Sequence, residues 1–234
     1  MAAVVLLALW RPRVRGRPRA DLRVAAAFGL VLGAMNVAIY ESFARIPLGI
    51  AVTIEFAGPL GVAVALSRRR RDVLWVVLAA AGILLLADRG GGGGLDALGV
   101  AFALCAAVAW AAYILLSQRT GEVWPGGSGL ALAMAVGALL AAPLGIAQAG
   151  GALLRPELLA AGAAVAIASS VIPYSFELEA LRRLPARVFG ILMSLEPAVA
   201  ALAGLVVLDQ ALSPRDWLAI ALVVAASAGA ASLG

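Results

Sequence analysis

The sequence predicts an all-α polytopic membrane protein. Of its 234 residues, 64% are hydrophobic and only 13% are charged, and the mean hydropathy is +1.03. Soluble domains are about 45–50% apolar and about 25% charged. The chain also divides into apolar stretches of about 20 residues, the length that crosses a bilayer as a helix. The predicted full spans cover residues 24–43, 48–66, 72–88, 97–117, 128–149, 157–178, 186–208 and 215–233.

An additional apolar stretch, Ala2–Trp10, precedes these spans. It is too short to cross a bilayer of about 30 Å as a helix. No charged region precedes it, which argues against a signal peptide. We interpret it as the second half of a span and expect the chain to start late relative to related proteins.

The basic residues predict the orientation in the membrane. All 18 are arginines, and they cluster between the apolar stretches. Assigning alternate loops to opposite sides places fourteen arginines on one side and four on the other. The positive-inside rule assigns the richer side, and with it the C-terminus, to the cytoplasm. Loops this short have no room for a nucleic-acid-binding module, and the arginine-only, alanine-rich usage indicates a bacterial inner membrane in a GC-rich organism.

The residue types exclude most catalytic chemistry. The chain has no histidine and a single cysteine, Cys105, so neither a His/Cys metal site nor a Ser–His pair can be built from it. Every aspartate lies in a loop or at a span end, which excludes the paired aspartates of an intramembrane protease. The glycines at 90–94 lack the lysine of a phosphate-binding loop and indicate a linker. We expect no enzyme activity, no cofactor and no metal.

Two segments 138 positions apart indicate an internal repeat. Glu41–Pro47 resembles Glu179–Pro185, and in each segment a glutamate precedes an arginine by four positions, the favourable order for an ion pair at a helix end. The arginine count places the two turns on opposite sides of the membrane. We therefore predict two inverted halves, 1–95 (N-terminally truncated) and 96–234. Inverted repeats are typical of secondary transporters, whose substrate site lies near the bilayer midplane.

Two acidic residues lie in the central parts of the predicted spans, Glu55 and Glu196. Charged residues in a span are costly and mark function by default. Each lies close to a proline, Pro59 or Pro197, and a proline leaves a backbone carbonyl without its helical partner. Because burial favours the neutral form of a carboxyl group, both are candidates for proton exchange or for binding an ammonium group. The alternative is a neutral glutamate that hydrogen-bonds a neighbouring helix.

A second set of polar residues predicts the lining of a cavity. Span 157–178 ends in a segment rich in hydroxyl groups, in which Pro173 frees the carbonyl of Ser169. The equivalent span of the first half carries Asn36, Tyr40 and Glu41, and the 138-position offset relates Asn36 to Tyr174. Hydrogen bonding between helices is the alternative. The cavity candidates are Asn36, Tyr40, Ser170, Tyr174, Glu177 and Ser194.

Four further residues are candidates for function. Trp110 and Tyr113, three positions apart on one span, either line a pocket or pack against lipid. Arg183 and Arg187 are candidates for a cytoplasmic gate that steers a carboxylate. For Arg183 the alternative is the ion pair with Glu179. The small residues of the last span permit close packing, either within the monomer or in a homodimer.

The motifs around the two glutamates carry a family resemblance. They are RIPLGIAV at 45–52, EF at 55–56 and GPL at 58–60, then PYS at 173–175, RLP at 183–185, FG at 189–190 and MSLEPA at 193–198. Both blocks resemble the threonine/homoserine exporter group, in the EamA branch of the drug/metabolite transporter superfamily. The resemblance implies ten helices in two inverted five-helix halves, a central substrate cavity and export of small metabolites. Relative to that pattern, this chain lacks the first helix and about half of the second.

The leading hypothesis is therefore a proton-coupled exporter of small amino acids such as threonine or homoserine. The halves would rock around Glu55 and Glu196 to give alternating access. Its partners would be a small-molecule substrate and the lipid bilayer, without nucleic acid. One alternative is export of cationic drugs or other metabolites, which buried carboxylates fit equally well. The other is a membrane fragment that does not transport.

Overall fold

The fold is helical in every part of the chain that the structure describes. The computed structural model describes residues 1–66, 72–87, 95–151, 155–174, 176 and 193–233. All regular elements in these ranges are helices, which confirms the predicted all-α membrane fold. In chain order they are α1 (Ala2–Trp10), α2 (Arg19–Phe43), α3 (Leu48–Glu55), α4 (Ala57–Leu66), α5 (Asp72–Ala87), α6 (Ala97–Val123), α7 (Ser128–Ala149), α8 (Pro156–Ala166) with a π-helical segment (Ile167–Val171), α9 (Glu196–Leu208) and α10 (Pro214–Leu233).

Length and composition make this a multi-pass membrane protein. Four stretches of the described helices are long and apolar enough to cross a membrane: Arg19–Phe43, Ala97–Val123, Ser128–Ala147 and Pro156–Tyr174. Shorter apolar helices accompany them at Leu48–Val62, Val73–Leu86 and Glu196–Leu208. In hydrocarbon, every backbone polar group must be satisfied internally, and a helix achieves this within one segment.

Pro59 divides the predicted span 48–66 into α3 and α4. A proline has no N–H, so the carbonyl of Glu55 loses the partner four positions further on. The chain turns at Phe56, whose backbone N–H still donates to the carbonyl of Val52 at 3.0 Å. The predicted span is thus interrupted by one residue, Phe56, directly after Glu55.

Pro173 loosens a second span in the same way. The helix that starts at Pro156 widens into the π-helical segment, which contains Ser169, the residue whose carbonyl loses its α-helical donor to Pro173. The hydroxyl of Ser169 donates to the carbonyl of Val165 at 2.8 Å. Both prolines therefore interrupt regular α-helix beside residues that were predicted to be functional.

The first of two compact units comprises Met1–Ala34 and Ala112–Arg183. Within it, α1 packs against α7 and against the π-helical segment. Gly29 and Gly33, one turn apart on α2, face α7, where a Cβ on Gly29 would overlap the carbonyl of Ala133. Small residues four positions apart let membrane helices approach to backbone contact.

The second compact unit comprises Met35–Ala111 and Leu184–Gly234. Within it, α5 packs along α10, and α3 packs against α9. Gly49 of α3 faces α9, and Gly58 of α4 faces α6, each without room for a Cβ. The core of this unit consists of small and branched apolar side chains, among them Ala38, Ile39, Ile46, Ile50, Ile54, Leu86, Ala103, Ala106 and Ala219.

Both units contain helices from each predicted sequence half. The long helices α2 and α6, of 25 and 27 residues, contribute one end to each unit. The division into inverted halves at 1–95 and 96–234 stays a prediction.

The last helix begins with a reciprocal cap. The carboxylate of Asp216 accepts hydrogen bonds from the backbone N–H and the hydroxyl of Ser213, both at 2.9 Å. The Ser213 hydroxyl accepts the Asp216 N–H at 3.2 Å. Pro214 occupies the first helical position, where its missing N–H is not needed. This capping box satisfies donors at the start of α10 that would otherwise lack partners.

Candidate functional site

The two intramembrane glutamates lie in the same compact unit. Glu55 is the last residue of α3 and is 7% exposed. Glu196 is the exposed first residue of α9, the helix that packs on α3. Their carboxyl groups are close enough for their charges to interact. Residues 141 positions apart in the sequence thus form one group, called here the carboxyl pair.

Helix ends position the carboxyl pair. Glu55 ends α3 because of Pro59, and Pro197 occupies the first turn of α9, directly after Glu196. The first turn of a helix presents N–H groups without intrahelical partners and the positive end of the helix dipole, which favours a carboxylate there. Ser194, 1% exposed, lies in the turn just before α9.

Close packing of α3 on α9 holds the two backbones together. A Cβ built on Gly49 would lie 2.5 Å from the Cα of Ala201. The hydroxyl of Thr53, one helical turn after Gly49, is buried and donates to the Gly49 carbonyl at 2.6 Å. Two carboxylates whose charges interact repel one another, so a single proton or bound cation stabilises such a pair.

Aromatic packing flanks the break that follows Glu55. Phe56, 1% exposed, meets the ring of Trp110 edge to face, with 5.3 Å between ring centroids and an interplanar angle of 89°. Trp110 is half-buried, and both of its interpretations, lining a pocket and packing against lipid, stay predictions.

The first compact unit contains a separate cavity of about 60 Å³, called here the aromatic cavity. Its wall includes three rings, from Phe28 on α2, Tyr113 on α6 and Tyr174. The centroid of Tyr113 lies 5.2 Å from that of Phe28 and 6.2 Å from that of Tyr174. The other lining residues are mostly small or hydroxyl-bearing: Ser117, Thr120, Gly121, Gly126, Gly127, Gly129 and Leu130.

Thr120 brings an unsatisfied hydroxyl to this cavity. Tyr113, Ser117 and Thr120 follow one another at i, i+4 and i+7 on α6 and therefore share one face of the helix. Thr120 is 4% exposed, and its Oγ1 has no hydrogen-bond partner among the described residues. A buried polar group without a partner costs about 1–3 kcal/mol. Gly129 leaves room beside it, since a Cβ there would overlap the Thr120 side chain.

The remaining predicted residues are more dispersed. Asn36 is half-buried on α2 in the second unit, and Ser170 is half-buried in the π-helical segment of the first. Tyr40 is 53% exposed and packs edge to face with Phe43 at 5.8 Å, outside both the carboxyl pair and the aromatic cavity. Outside the described residues lie Glu177, Arg183 and Arg187.

The predicted ion pair between Glu41 and Arg45 is confirmed at the end of α2. The Arg45 Nε also lies 4.0 Å from Asp96, and its guanidinium lies 5.0 Å from the ring centroid of Phe102. The equivalent pair in the second half falls outside the described residues. These contacts anchor the turn between α2 and α3 and give Arg45 a structural role.

Phe28, Ser117 and Thr120 of the aromatic cavity were not predicted. The spacing of Ser117 and Thr120 from Tyr113 carries a usable signal, because hydroxyl residues at helical spacing on one span share a face. Phe28 carries no such signal, since a phenylalanine in an apolar span is not distinctive.

Comparison with known proteins establishes the family. The profile of the EamA-like transporter family matches residues 97–231. The chain is 43% identical over 231 residues to the threonine/homoserine exporter RhtA of Escherichia coli (strain K12) and to that of Salmonella typhimurium (strain LT2), which covers 98% of this chain and 78% of each relative. It is 32% identical over 170 residues to the uncharacterized transporter YwfM of Bacillus subtilis (strain 168), covering 72% of this chain and 57% of that relative. The resemblance to the threonine/homoserine exporter group is confirmed, and the chain belongs to the EamA-like transporter family.

Proposed function

We propose that this protein exports small hydroxyl-bearing amino acids, such as threonine or homoserine, and couples their export to proton entry. The cargo is supported by 43% identity, over 98% of the chain, to relatives named threonine/homoserine exporters. The observation that carries the mechanism is the carboxyl pair. Two acidic residues at helix breaks inside an apolar protein mark an ion or substrate pathway by default.

The carboxyl pair provides one site for which a proton and an ammonium group compete. When both carboxyl groups are ionised they repel, so the pair gains from one positive charge, whether a proton or the ammonium group of the cargo. In this mechanism, the pair loses its proton to the cytoplasm and takes up the amino acid. On the outer side it releases the amino acid and takes up a proton, which returns inward. Competition for one site enforces the exchange.

The aromatic cavity, within the first unit, provides a separate contact at which the cargo hydroxyl is recognised on the export path. Threonine and homoserine each carry a side-chain hydroxyl, which donates one hydrogen bond and accepts others. Thr120 offers a buried hydroxyl that no described residue satisfies, and Ser117 lies one turn before it on the same face. A site built to bond a hydroxyl rejects analogues that lack one, because its own polar groups are then left unpaired.

The orientation of the chain fits export from the cytoplasm. The arginine count supports a cytoplasmic C-terminus in a bacterial inner membrane, where Arg183 and Arg187 would attract the carboxylate of the cargo. The two inverted halves would provide alternating access. A homodimer through the small residues of the last helix is a further prediction.

Efflux from preloaded cells tests this function. Cells that express the chain are loaded with labelled threonine or homoserine and compared with cells expressing Glu196→Gln or the control Glu122→Gln. Glu122 is an exposed residue at the end of α6 that pairs with Arg119, so the control removes the same charge at a solvent-exposed position outside the carboxyl pair. We expect efflux from the parent and the control, and a loss of at least tenfold for Glu196→Gln at equal expression.

The competing cargo is a cationic drug or metabolite, which the carboxyl pair would also bind. The same cells discriminate the two, because a cation exporter lowers accumulation of a dye such as ethidium and leaves threonine efflux at the level of empty cells. That result would contradict the amino-acid assignment while preserving the role of the carboxyl pair. Loss of both activities in the parent would contradict the function as a whole.

A further inference from the structure

A basic groove in the first compact unit lies apart from both candidate sites. It encloses about 650 Å³. Its charged lining consists of Arg11, Arg13 and Arg17, and its aromatic lining of Trp10 and Trp124. Among the described residues that line it, none is acidic.

The end of α1 shapes one side of the groove. Arg11 adopts a left-handed conformation (φ 40°), and its N–H donates to the carbonyl of Leu7, which ends the helix. The indole of Trp10 then lies directly against Gly126 and Gly127, where a Cβ on either would contact the ring at less than 3 Å. The glycines therefore allow Trp10 to lie flat on the start of the segment that leads into α7.

Arg17 closes the other side and is held rigidly. Its Nη1 donates to the carbonyl of Val123 at 3.0 Å, and its guanidinium lies 4.8 Å from the ring centroid of Trp124. Asp21 lies 3.8 Å from Arg17 and partly balances its charge, and its carbonyl accepts the indole N–H of Trp124 at 3.2 Å. The positive charge available to a ligand thus comes mainly from Arg11 and Arg13, which are exposed.

The groove lies at the end of apolar helices, where the membrane meets water. Tryptophan and arginine at the end of an apolar helix are characteristic of the membrane–water interface. The helix α1 is apolar along its whole length and leads to the groove with side chains uncovered, since Val5 is 39% exposed and Leu9, one turn further on, is 64% exposed. A ligand in the groove therefore has a charged site for its head and an apolar surface for a tail.

We propose that this groove binds the phosphate of an anionic phospholipid, with the acyl chains along α1. Guanidinium groups bind phosphate oxygens through paired hydrogen bonds, and basic pockets at helix ends bind anionic lipid headgroups. A free phosphate would use the arginines but not the apolar surface. Each arginine near a membrane surface contributes about 1 kcal/mol to anionic lipid binding, so removing Arg11 and Arg13 weakens binding about thirtyfold.

The test uses the full chain purified in a neutral detergent. Intrinsic tryptophan fluorescence, to which Trp10 and Trp124 contribute, is followed while phosphatidylglycerol, phosphatidylcholine or inorganic phosphate is titrated. The test variant is Arg11→Gln/Arg13→Gln. The matched control, Arg119→Gln/Arg155→Gln, makes the same change in net charge at two exposed arginines outside the groove. We expect saturable binding of phosphatidylglycerol only, a loss of about thirtyfold in the groove variant and little change in the control.

Two results would overturn the proposal. Equal weakening in both double variants would indicate general attraction between a basic protein and an anionic micelle. Binding of inorganic phosphate as tightly as phosphatidylglycerol would make the ligand a soluble anion. A melting temperature in phosphatidylcholine micelles that matches the parent shows that a variant is folded. If the double variant melts at a lower temperature than the parent, the single variant Arg13→Gln, at an exposed position, replaces it. Its affinity for phosphatidylglycerol is expected to fall about fivefold.

Discussion

Replacing Thr120 by valine should stabilise the protein and weaken export at the same time. Valine matches threonine in shape and in helix propensity, so the change removes the hydroxyl and little else. Thr120 is 4% exposed, and no described residue satisfies its Oγ1. The parent therefore carries a desolvation penalty of about 1–3 kcal/mol that the valine variant escapes. In a chain of this length, a gain of 1 kcal/mol raises Tm by about 2–4 °C.

The cargo can hydrogen-bond the same hydroxyl. Its removal should therefore slow export although it stabilises the protein. A hydrogen bond between uncharged groups contributes about 0.5–1.5 kcal/mol net, so its loss lowers the kcat/KM of export about two- to thirteenfold. Thr53→Val is the matched control. Thr53 is also buried, but its hydroxyl already donates to the Gly49 carbonyl at 2.6 Å, so its removal should not stabilise.

The assay combines thermal melting in detergent with efflux of threonine and of an analogue that lacks the hydroxyl. We expect Thr120→Val to have a higher Tm than the parent and to discriminate less against the analogue that lacks the hydroxyl. An unchanged or lower Tm would show that the Thr120 hydroxyl already has a partner. An unchanged threonine efflux would show that the cargo does not use it. Either result refutes the reasoning.

Two further predictions concern the packing of α4 and the capping of α10. Gly58→Ala should destabilise by about 1–3 kcal/mol, because its Cβ would overlap the Ala107 carbonyl. Gly61→Ala on the same helix, where a Cβ would have no heavy atom within 4 Å, should be neutral or stabilising by up to about 1 kcal/mol in thermal melts. Asp216→Ala should cost about 0.5–2 kcal/mol through loss of the capping box, whereas Asp216→Glu should retain part of it; a melting curve that does not move would show that the cap is dispensable.

Hydropathy and proline positions predicted much of the helical framework. The spans were visible because an apolar solvent demands long apolar helices. The break at Glu55 was foreseeable from Pro59, since the missing N–H acts locally. The sequence marked Glu55 and Glu196 as the acidic residues in the central parts of the spans, but their electrostatic interaction was not predicted, because it depends on the packing of α3 against α9.

Features that depend on contacts between distant segments were not predictable in this way. The aromatic cavity forms because α2, α6 and the end of the α8 span pack together. The local sequence around Phe28 does not predict this contact. The cap of α10 had a local signal, a serine followed three positions later by an acidic residue. The hydrophobic pattern alone did not predict it. Tyr40 is 53% exposed and does not line the aromatic cavity, so its role as a cavity residue stays a prediction.

The central claim is that the carboxyl pair exchanges a proton for an amino acid. Proteoliposomes with a pH-sensitive dye inside test it directly, with threonine supplied on one side and no initial pH difference. For the parent we predict that threonine flux drives a proton flux in the opposite direction. For Glu55→Gln we predict that labelled threonine still exchanges with unlabelled threonine while the proton flux is lost. Normal threonine exchange by the parent without any proton movement, or proton coupling that survives in Glu55→Gln, would contradict the account.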